Sequence, residues 1–220
     1  MKKKLCLIHT INRFMDIIYT PFAAPFLEEN PEVEIFNIMD DSLLTETLKA
    51  GGLTNATAAR ILHYVMAAEK NGADAAMVTC TSVNEAAAYA RRFSQIPVLN
   101  IDEPVARMAV AAGTRIGVLA TLPTSPKATV RLLEAEAARQ GKAITTVPLV
   151  AEGAYDILIA GDRAKHDEMV NDALFRLAKQ VDVITFAQIS MSLVPHGDCG
   201  VPLFKIGRSG FDEIKKLMGL

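Results

Sequence analysis

Apolar runs alternate with segments of helical period along the whole of this chain. That alternation restricts the fold more than any other property of the sequence. The runs are KLCLIHT (4–10), EVEIFNI (32–38), DAAMVTC (74–80), IPVLNI (96–101), RIGVLAT (115–121), AITTVPL (143–149), VDVITFA (181–187) and PLFKI (202–206). Between them, NATAARILHYVMAAEKNG (55–72) places Ile61, Leu62, Val65, Met66 and Ala68 on one face and stops at Gly72. SPKATVRLLEAEAARQG (125–141) offers Ser125 as N-cap with Pro126 behind it and stops at Gly141, and KHDEMVNDALFRLAKQ (165–180) has the same period. Strands separated by helices pair in parallel, because each crossover returns the chain to the same end of the sheet. The pattern predicts an α/β protein.

The runs fall into two sets of four. Each set opens with a strand that ends in a polar turn, IHTIN (8–12) and LATLPTS (119–125). Each carries a third strand that does the same, DAAMVTCTSVN (74–84) and DVITFAQISMS (182–192). Thr10 lies 70 residues before Cys80, and Thr121 lies 67 before Gln188. The near-equal spacing predicts a duplication: two similar α/β halves, each with a mostly four-stranded parallel sheet flanked by helices and the active site between them. Pro104 in IDEPVARM (101–108) suits the start of a helix at the junction. The first lobe is expected over 1–103 plus 208–220, with SGFDEIKKLMGL (209–220) returning to it, and the second over 104–207.

Ligand sites in parallel sheets form beyond the carboxyl ends of the strands. His9, Thr10, Asn12, Cys80, Thr81, Ser82, Asn84, Thr121, Thr124, Ser125, Gln188, Ser190 and Ser192 are all placed there. If the halves face each other, these residues line one cleft with a thiol on one wall and an amide on the other. Cys80 is followed by Thr81–Ala86, which reads as a helix start. Free N–H groups there favour a thiolate, below the usual pKa of ~8.5, and bind carboxylates. Core packing is the competing reading of a lone cysteine, and helix capping that of serines and threonines after strands. The T-C-T-S setting at a strand end, and the number of hydroxyls converging there, favour a site for a small carboxylate.

Other polar residues read as structural. Cys6 is core. His196, Asp198 and Cys199 in PHGDCGVP (195–202) are too close in sequence to wrap one tetrahedral ion and suit a turn. His63 and His166 are expected as surface or packing residues, and Asp40 and Asp41 as helix caps. Composition narrows the function further. A formal net charge of −2 and the absence of tryptophan point away from nucleic acid and anionic membranes. No apolar run approaches the ~18 residues of a membrane span, and MKKKLCLIHT reads as a first strand rather than a signal peptide. Three cysteines argue against a disulfide framework and suit a reducing cytoplasm. No Gly-rich phosphate or dinucleotide loop and no H-E-x-x-H occurs, so no metal or cofactor is expected.

D-A-x-x-x-T-C-T-S in the first half and I-G-V-L-A-T-x-x-T in the second resemble the aspartate/glutamate/hydantoin racemase superfamily. So do VLNIDEPVARMAV (98–110), EGAYDILIAGD (152–162) and Gly117 with Thr121 and Thr124. The resemblance implies cofactor-independent chemistry in which two cysteines exchange a proton on opposite faces of a carbon next to a carboxylate. Cys80 corresponds to the first-half cysteine. Thr81, Ser82, Thr121, Thr124 and Ser190 fall among the groups that hold the substrate, and His9 and Thr10 stand where relatives often have a polar pair. Gln188 departs from the pattern: F-A-Q-I-S-M stands where many members have G-C-x-x-M. An amide carries no proton at neutral pH but hydrogen-bonds through both ends. The expected function is therefore a racemase- or isomerase-type enzyme for a small amino, hydroxy or dicarboxylic acid, with Cys80 as its single acid/base and Gln188 as a ligand. Decarboxylation of a malonate-like acid with stereospecific protonation, addition of Cys80 to an unsaturated diacid, and carboxylate binding without catalysis are the alternatives. The resemblance also leaves room for a homo-oligomer, dimers being common among relatives.

Overall fold

The computed structural model describes residues 2–220. The strands are β1 (Lys3–His9), β2 (Val33–Met39), β3 (Ala75–Val78), β4 (Val98–Asn100), β5 (Arg115–Ala120), β6 (Thr145–Val150), β7 (Val183–Phe186) and β8 (Leu203–Phe204). The helices are α1 (Ala24–Glu29), α2 (Ser42–Ala50), α3 (Asn55–Lys70), α4 (Asn84–Ala90), α5 (Glu103–Ala112), α6 (Ser125–Gln140), α7 (Ala154–Ile159), α8 (Arg163–Ala178) and α9 (Arg208–Leu217). All strand pairs are parallel. One sheet has the order β2-β1-β3-β4 and the other β6-β5-β7-β8, so the two halves share one topology.

The duplication extends to the hydrogen-bond register. β1 pairs Leu5 with Ala75 and Ile8 with Val78, an offset of 70, while β5 pairs Ile116 with Val183 and Leu119 with Phe186, an offset of 67. An aspartate starts each ladder: Asp74 accepts from the Lys4 N–H at 2.8 Å, and Asp182 accepts from the Arg115 N–H at 2.8 Å. These are the offsets that separate Thr10 from Cys80 and Thr121 from Gln188. The fold sets each member of those pairs at the ends of neighbouring strands.

The chain divides into two compact units, one running to Pro104 and including Gly207–Leu220, the other Val105–Ile206. In the first, Cys6, Ile8, Ile61, Val65, Ala76 and Val78 form a core between the sheet and helices α3 and α4. Helix α9 packs on this unit. Phe211 meets Phe26 with ring centroids 5.2 Å apart, and a Cβ at Gly210 would lie 2.6 Å from Ile101 Cγ1. Gly207, which precedes α9, has φ of +137° and leaves no room for a side chain beside the Phe22 ring. In the second unit, one cluster around Leu119, Leu174, Leu177, Ile184 and Phe186 and another around Ala109, Ile116, Val118, Leu133 and Val183 cover the two faces of the sheet. At Gly117 a Cβ would fall 2.9 Å from Leu177 Cγ, so glycine lets α8 approach β5.

The structure differs from the sequence expectations in several places. Met15–Ala23 forms a wide π-helical segment that runs on into α1, with the Ala24 N–H bonded to the Tyr19 carbonyl. Pro21 and Pro25 hide its helical period in the sequence. Helix α7, being short, also escaped notice, whereas α2 follows the expected Asp40–Asp41 caps and α4 begins at Asn84, within the helix start expected over Thr81–Ala86 but after a 3-10 turn. The N-cap position of α6 is Thr124, one residue before the expected Ser125. No helix among the described residues is long and apolar enough to cross a membrane.

Candidate active site

In the first unit, β3 delivers Cys80 in extended geometry (φ −140°, ψ 124°) directly ahead of a 3-10 turn, Thr81–Val83, that leads into α4. The Thr10 hydroxyl, from the end of β1, hydrogen-bonds to the thiol, as do the Ser82 and Val83 N–H groups. Thr10, Thr81 and Ser82 are all buried. The sequence suggested that the helix start would lower the thiol pKa, and the structure corrects this. Burial pushes the pKa up, the hydrogen bonds from Thr10, Ser82 and Val83 only partly offset it, and the Asp102 carboxylate raises it further. Cys80 therefore rests as a thiol, still half-open to solvent.

Asp102, whose carboxylate acts on the Cys80 thiol, is a candidate that the sequence did not bring forward. It is buried and accepts from Asn84 Nδ2 at 3.1 Å and from Asn100 Nδ2 at 2.5 Å. Burial raises its carboxyl to about 6 against those hydrogen bonds. Its signal was present in NIDEP, an acidic residue beyond the carboxyl end of β4, the region that should hold ligand groups.

His9 does not have the open position expected of a ligand-facing residue. It is fully buried, with Nδ1 2.9 Å from Thr79 Oγ1, Nε2 2.9 Å from Asn37 Oδ1, and its ring stacked on Phe14. Both ring nitrogens are engaged within the first unit, and burial lowers its pKa to about 4. Asn12 is exposed.

In the second unit, β7 delivers Gln188 in nearly the geometry of Cys80 (φ −144°, ψ 139°), ahead of a second 3-10 turn, Ile189–Leu193. Its carbonyl Oε1 accepts three hydrogen bonds: from the Thr121 N–H at 2.6 Å, the Thr121 hydroxyl at 3.1 Å and the Leu122 N–H at 3.1 Å. The threonine that ends the first strand thus donates to the residue that ends the third strand in both units, to sulfur in one and to an amide oxygen in the other. Thr124 occupies the N-cap of α6, yet its hydroxyl is buried without any hydrogen-bond partner. It does not cap the helix. Ser190 is half-buried in the turn after Gln188.

The remaining polar residues serve structure. Cys6 is buried, and its thiol is pushed up to about 12 by that burial. Asp198 accepts from the Gly200 N–H at 2.8 Å and Cys199 Sγ lies 3.3 Å from the Val201 carbonyl, so this segment is a turn before β8. Asp40 accepts from the Ser42 N–H, as a cap would, and also binds Arg60 and Tyr64. Asp41 makes no side-chain cap bond. His63 is exposed, and His166 is buried in α8 beside Asp167. No group of three His, Cys, Asp or Glu among the described residues could hold a metal ion.

The family model described as Asp/Glu/Hydantoin racemase matches residues 22–214. Among solved structures, an aspartate racemase homologue from Pyrococcus horikoshii OT3 is similar, with TM-score 0.71 and 14% identity, covering 100% of both chains. The allantoin racemase of Klebsiella pneumoniae has TM-score 0.68 and 17% identity, over 99% of this chain and 88% of its own. A glycine-to-cysteine variant of arylmalonate decarboxylase, in a sulfate-associated form, has TM-score 0.61 and 15% identity, over 98% and 93%. No curated protein matches the chain by sequence.

Proposed function

Since the chain belongs to the Asp/Glu/Hydantoin racemase family, we propose that it is an isomerase-type enzyme acting at the carbon next to a carboxylate of a small amino, hydroxy or dicarboxylic acid. Cys80 is its single acid/base. The observation that carries this reading is the unequal arming of two matched turns. The thiol of Cys80 takes the Thr10 hydroxyl, while at the matched position the amide oxygen of Gln188 takes that of Thr121. Cys80 can give and take a proton and Gln188 cannot. Thr81, Ser82, Thr124 and Ser190 supply hydroxyls and N–H groups for the acid, while Thr121 spends its N–H and hydroxyl on holding the Gln188 amide. The unpartnered Thr124 hydroxyl supports this, since a buried polar atom without a partner is costly unless a ligand completes it. Thr10 and His9 act on the thiol and its strand rather than on the acid. The chemistry needs only groups that the chain carries.

One observation favours a second reading. Burial and Asp102 keep Cys80 protonated, the form that donates. Loss of CO₂ from a malonate-like acid breaks a carbon–carbon bond and leaves its electron pair on the α-carbon. The Cys80 thiol delivers its proton there on one face and regains one from solvent. One of the similar folds is that of an arylmalonate decarboxylase.

Both readings are tested by incubating amino, hydroxy, dicarboxylic and malonate-type acids in D₂O with the wild type and with Cys80→Ser. The wild type is expected to place deuterium at the α-carbon of substrate or of decarboxylated product. The variant should be slower by ~10²-fold or more. Equal behaviour of the two proteins on every compound removes Cys80 from the chemistry. Protection of Cys80 from iodoacetamide by a dicarboxylate, with no exchange or turnover, identifies a carboxylate-binding protein instead.

A further inference from the structure

Gln188 is nine-tenths buried, at 8% exposure, and only one end of its amide is used. Two of the three groups on Oε1 are backbone N–H groups, which can only donate. An NH₂ in that place would set donors against donors. The amide therefore has one orientation, with Nε2 turned away from the Thr121–Leu122 turn. Nε2 donates to no described residue, and it is not among the buried side-chain atoms left without a partner, so solvent or a ligand can reach it.

We propose that Gln188 is a hydrogen-bond donor of fixed polarity that selects an acceptor oxygen on the bound acid and rejects an ammonium group. The side chain also fills the backbone donors of its own turn. A carboxylate that reaches this turn is met by the Gln188 NH₂ and not by the Thr121 and Leu122 N–H groups. This rests on the reading of the turn as substrate-facing and narrows it: the ligand group that faces residue 188 is a carboxylate or carbonyl oxygen. Dicarboxylic and malonate-like acids fit that description, whereas an acid that presents an amine there does not.

The test uses two probes that differ only at one end, succinate and 3-aminopropanoate, titrated calorimetrically into the full chain. The wild type is expected to bind succinate at least ~10-fold more tightly, the usual scale of a hydrogen bond to a charged group. In Gln188→Glu, one carboxylate oxygen takes the three donors and the other faces outward as an acceptor, so the preference should invert. In Gln188→Met, which offers no donor, the preference should shrink to within about three-fold. A succinate-to-amine ratio that stays within two-fold of wild type in Gln188→Glu overturns the proposal. So does failure of the wild type to bind either probe. If Cys80→Ser abolishes deuterium uptake while the Gln188 ratio stays fixed, the acid/base reading stands and this inference alone falls.

Discussion

Replacing Thr10 by valine removes one O–H donor from Cys80 and changes the volume of a buried residue little. A hydrogen bond to a charged group is worth about 1.5–3 kcal/mol, and one pKa unit corresponds to about 1.4 kcal/mol. Loss of the Thr10 hydroxyl, which stabilises the thiolate, should therefore raise the thiol pKa. Below that pKa the thiolate fraction falls ~10–100-fold. The more basic thiolate is also the better nucleophile, with an exponent of ~0.4–0.5, which returns ~3–10-fold. The net effect on iodoacetamide alkylation near neutral pH is a slowing of ~3–10-fold. At alkaline pH, where both thiols are ionised, the variant should be faster than wild type. The two pH–rate curves, read at Cys80 by peptide mass, are expected to cross. Cys6 is buried and serves as the unreactive control, and half-exposed Cys199 reports any general loosening. A variant that is faster at every pH has lost packing rather than a hydrogen bond. One with an unchanged profile shows that the Thr10 hydroxyl does not act on the sulfur. Either result refutes the reasoning.

Three further outcomes follow from the same geometry. Asp102→Asn removes a negative charge that raises the Cys80 pKa, so its alkylation profile should move to lower pH; a profile that stays in place would disconnect the two residues. His9 is neutral in the fold, with its pKa lowered to about 4 by burial against an unfolded value of ~6.5. Its contribution to stability is whole above ~6.5 and is lost as pH falls towards 4; His9→Gln should flatten that limb in denaturant titrations taken at stepped pH. Gly117→Ala forces a methyl against Leu177 at 2.9 Å, an overpacking worth about 1–3 kcal/mol. Calorimetry should register a Tm lower by about 2–12 °C, and a shift of less than about one degree would mean that α8 yields freely.

The sheets were legible because parallel strands covered on both faces leave continuous apolar runs, which each crossover separates. Register was legible too, although only as a spacing: 70 and 67 residues between polar turns became the offsets of the β1–β3 and β5–β7 ladders. Side-chain environments were much less so. The Cys80 pKa depends on Asp102, 22 positions further along the chain, and on how deeply the turn is buried. Nothing local to T-C-T-S reports either. His9 read as a polar strand end open to ligand, but its partners Asn37 and Thr79 come from the two neighbouring strands and close around it. The fate of the Gln188 carbonyl was hidden for the same reason, since its donors lie in the Thr121–Leu122 turn.

The shared register explains why one position can change its chemistry without disturbing the scaffold. In each unit the residue after the third strand meets a threonine hydroxyl that ends the first, and in each it is the last extended residue before a 3-10 turn. What the fold specifies there is an acceptor: it offers donors, and a sulfur or an amide oxygen satisfies them alike. Acceptance of those donors says nothing about the proton-carrying capacity of the side chain. At residue 80 the acceptor also carries a dissociable proton. At residue 188 it does not, and a second, rigid donor is presented in its place. The fold therefore keeps one geometry at both turns, and only the turn at residue 80 holds a dissociable proton. The surroundings of that turn set where the proton rests: burial and Asp102 hold it on the sulfur, and Thr10, Ser82 and Val83 ease its release.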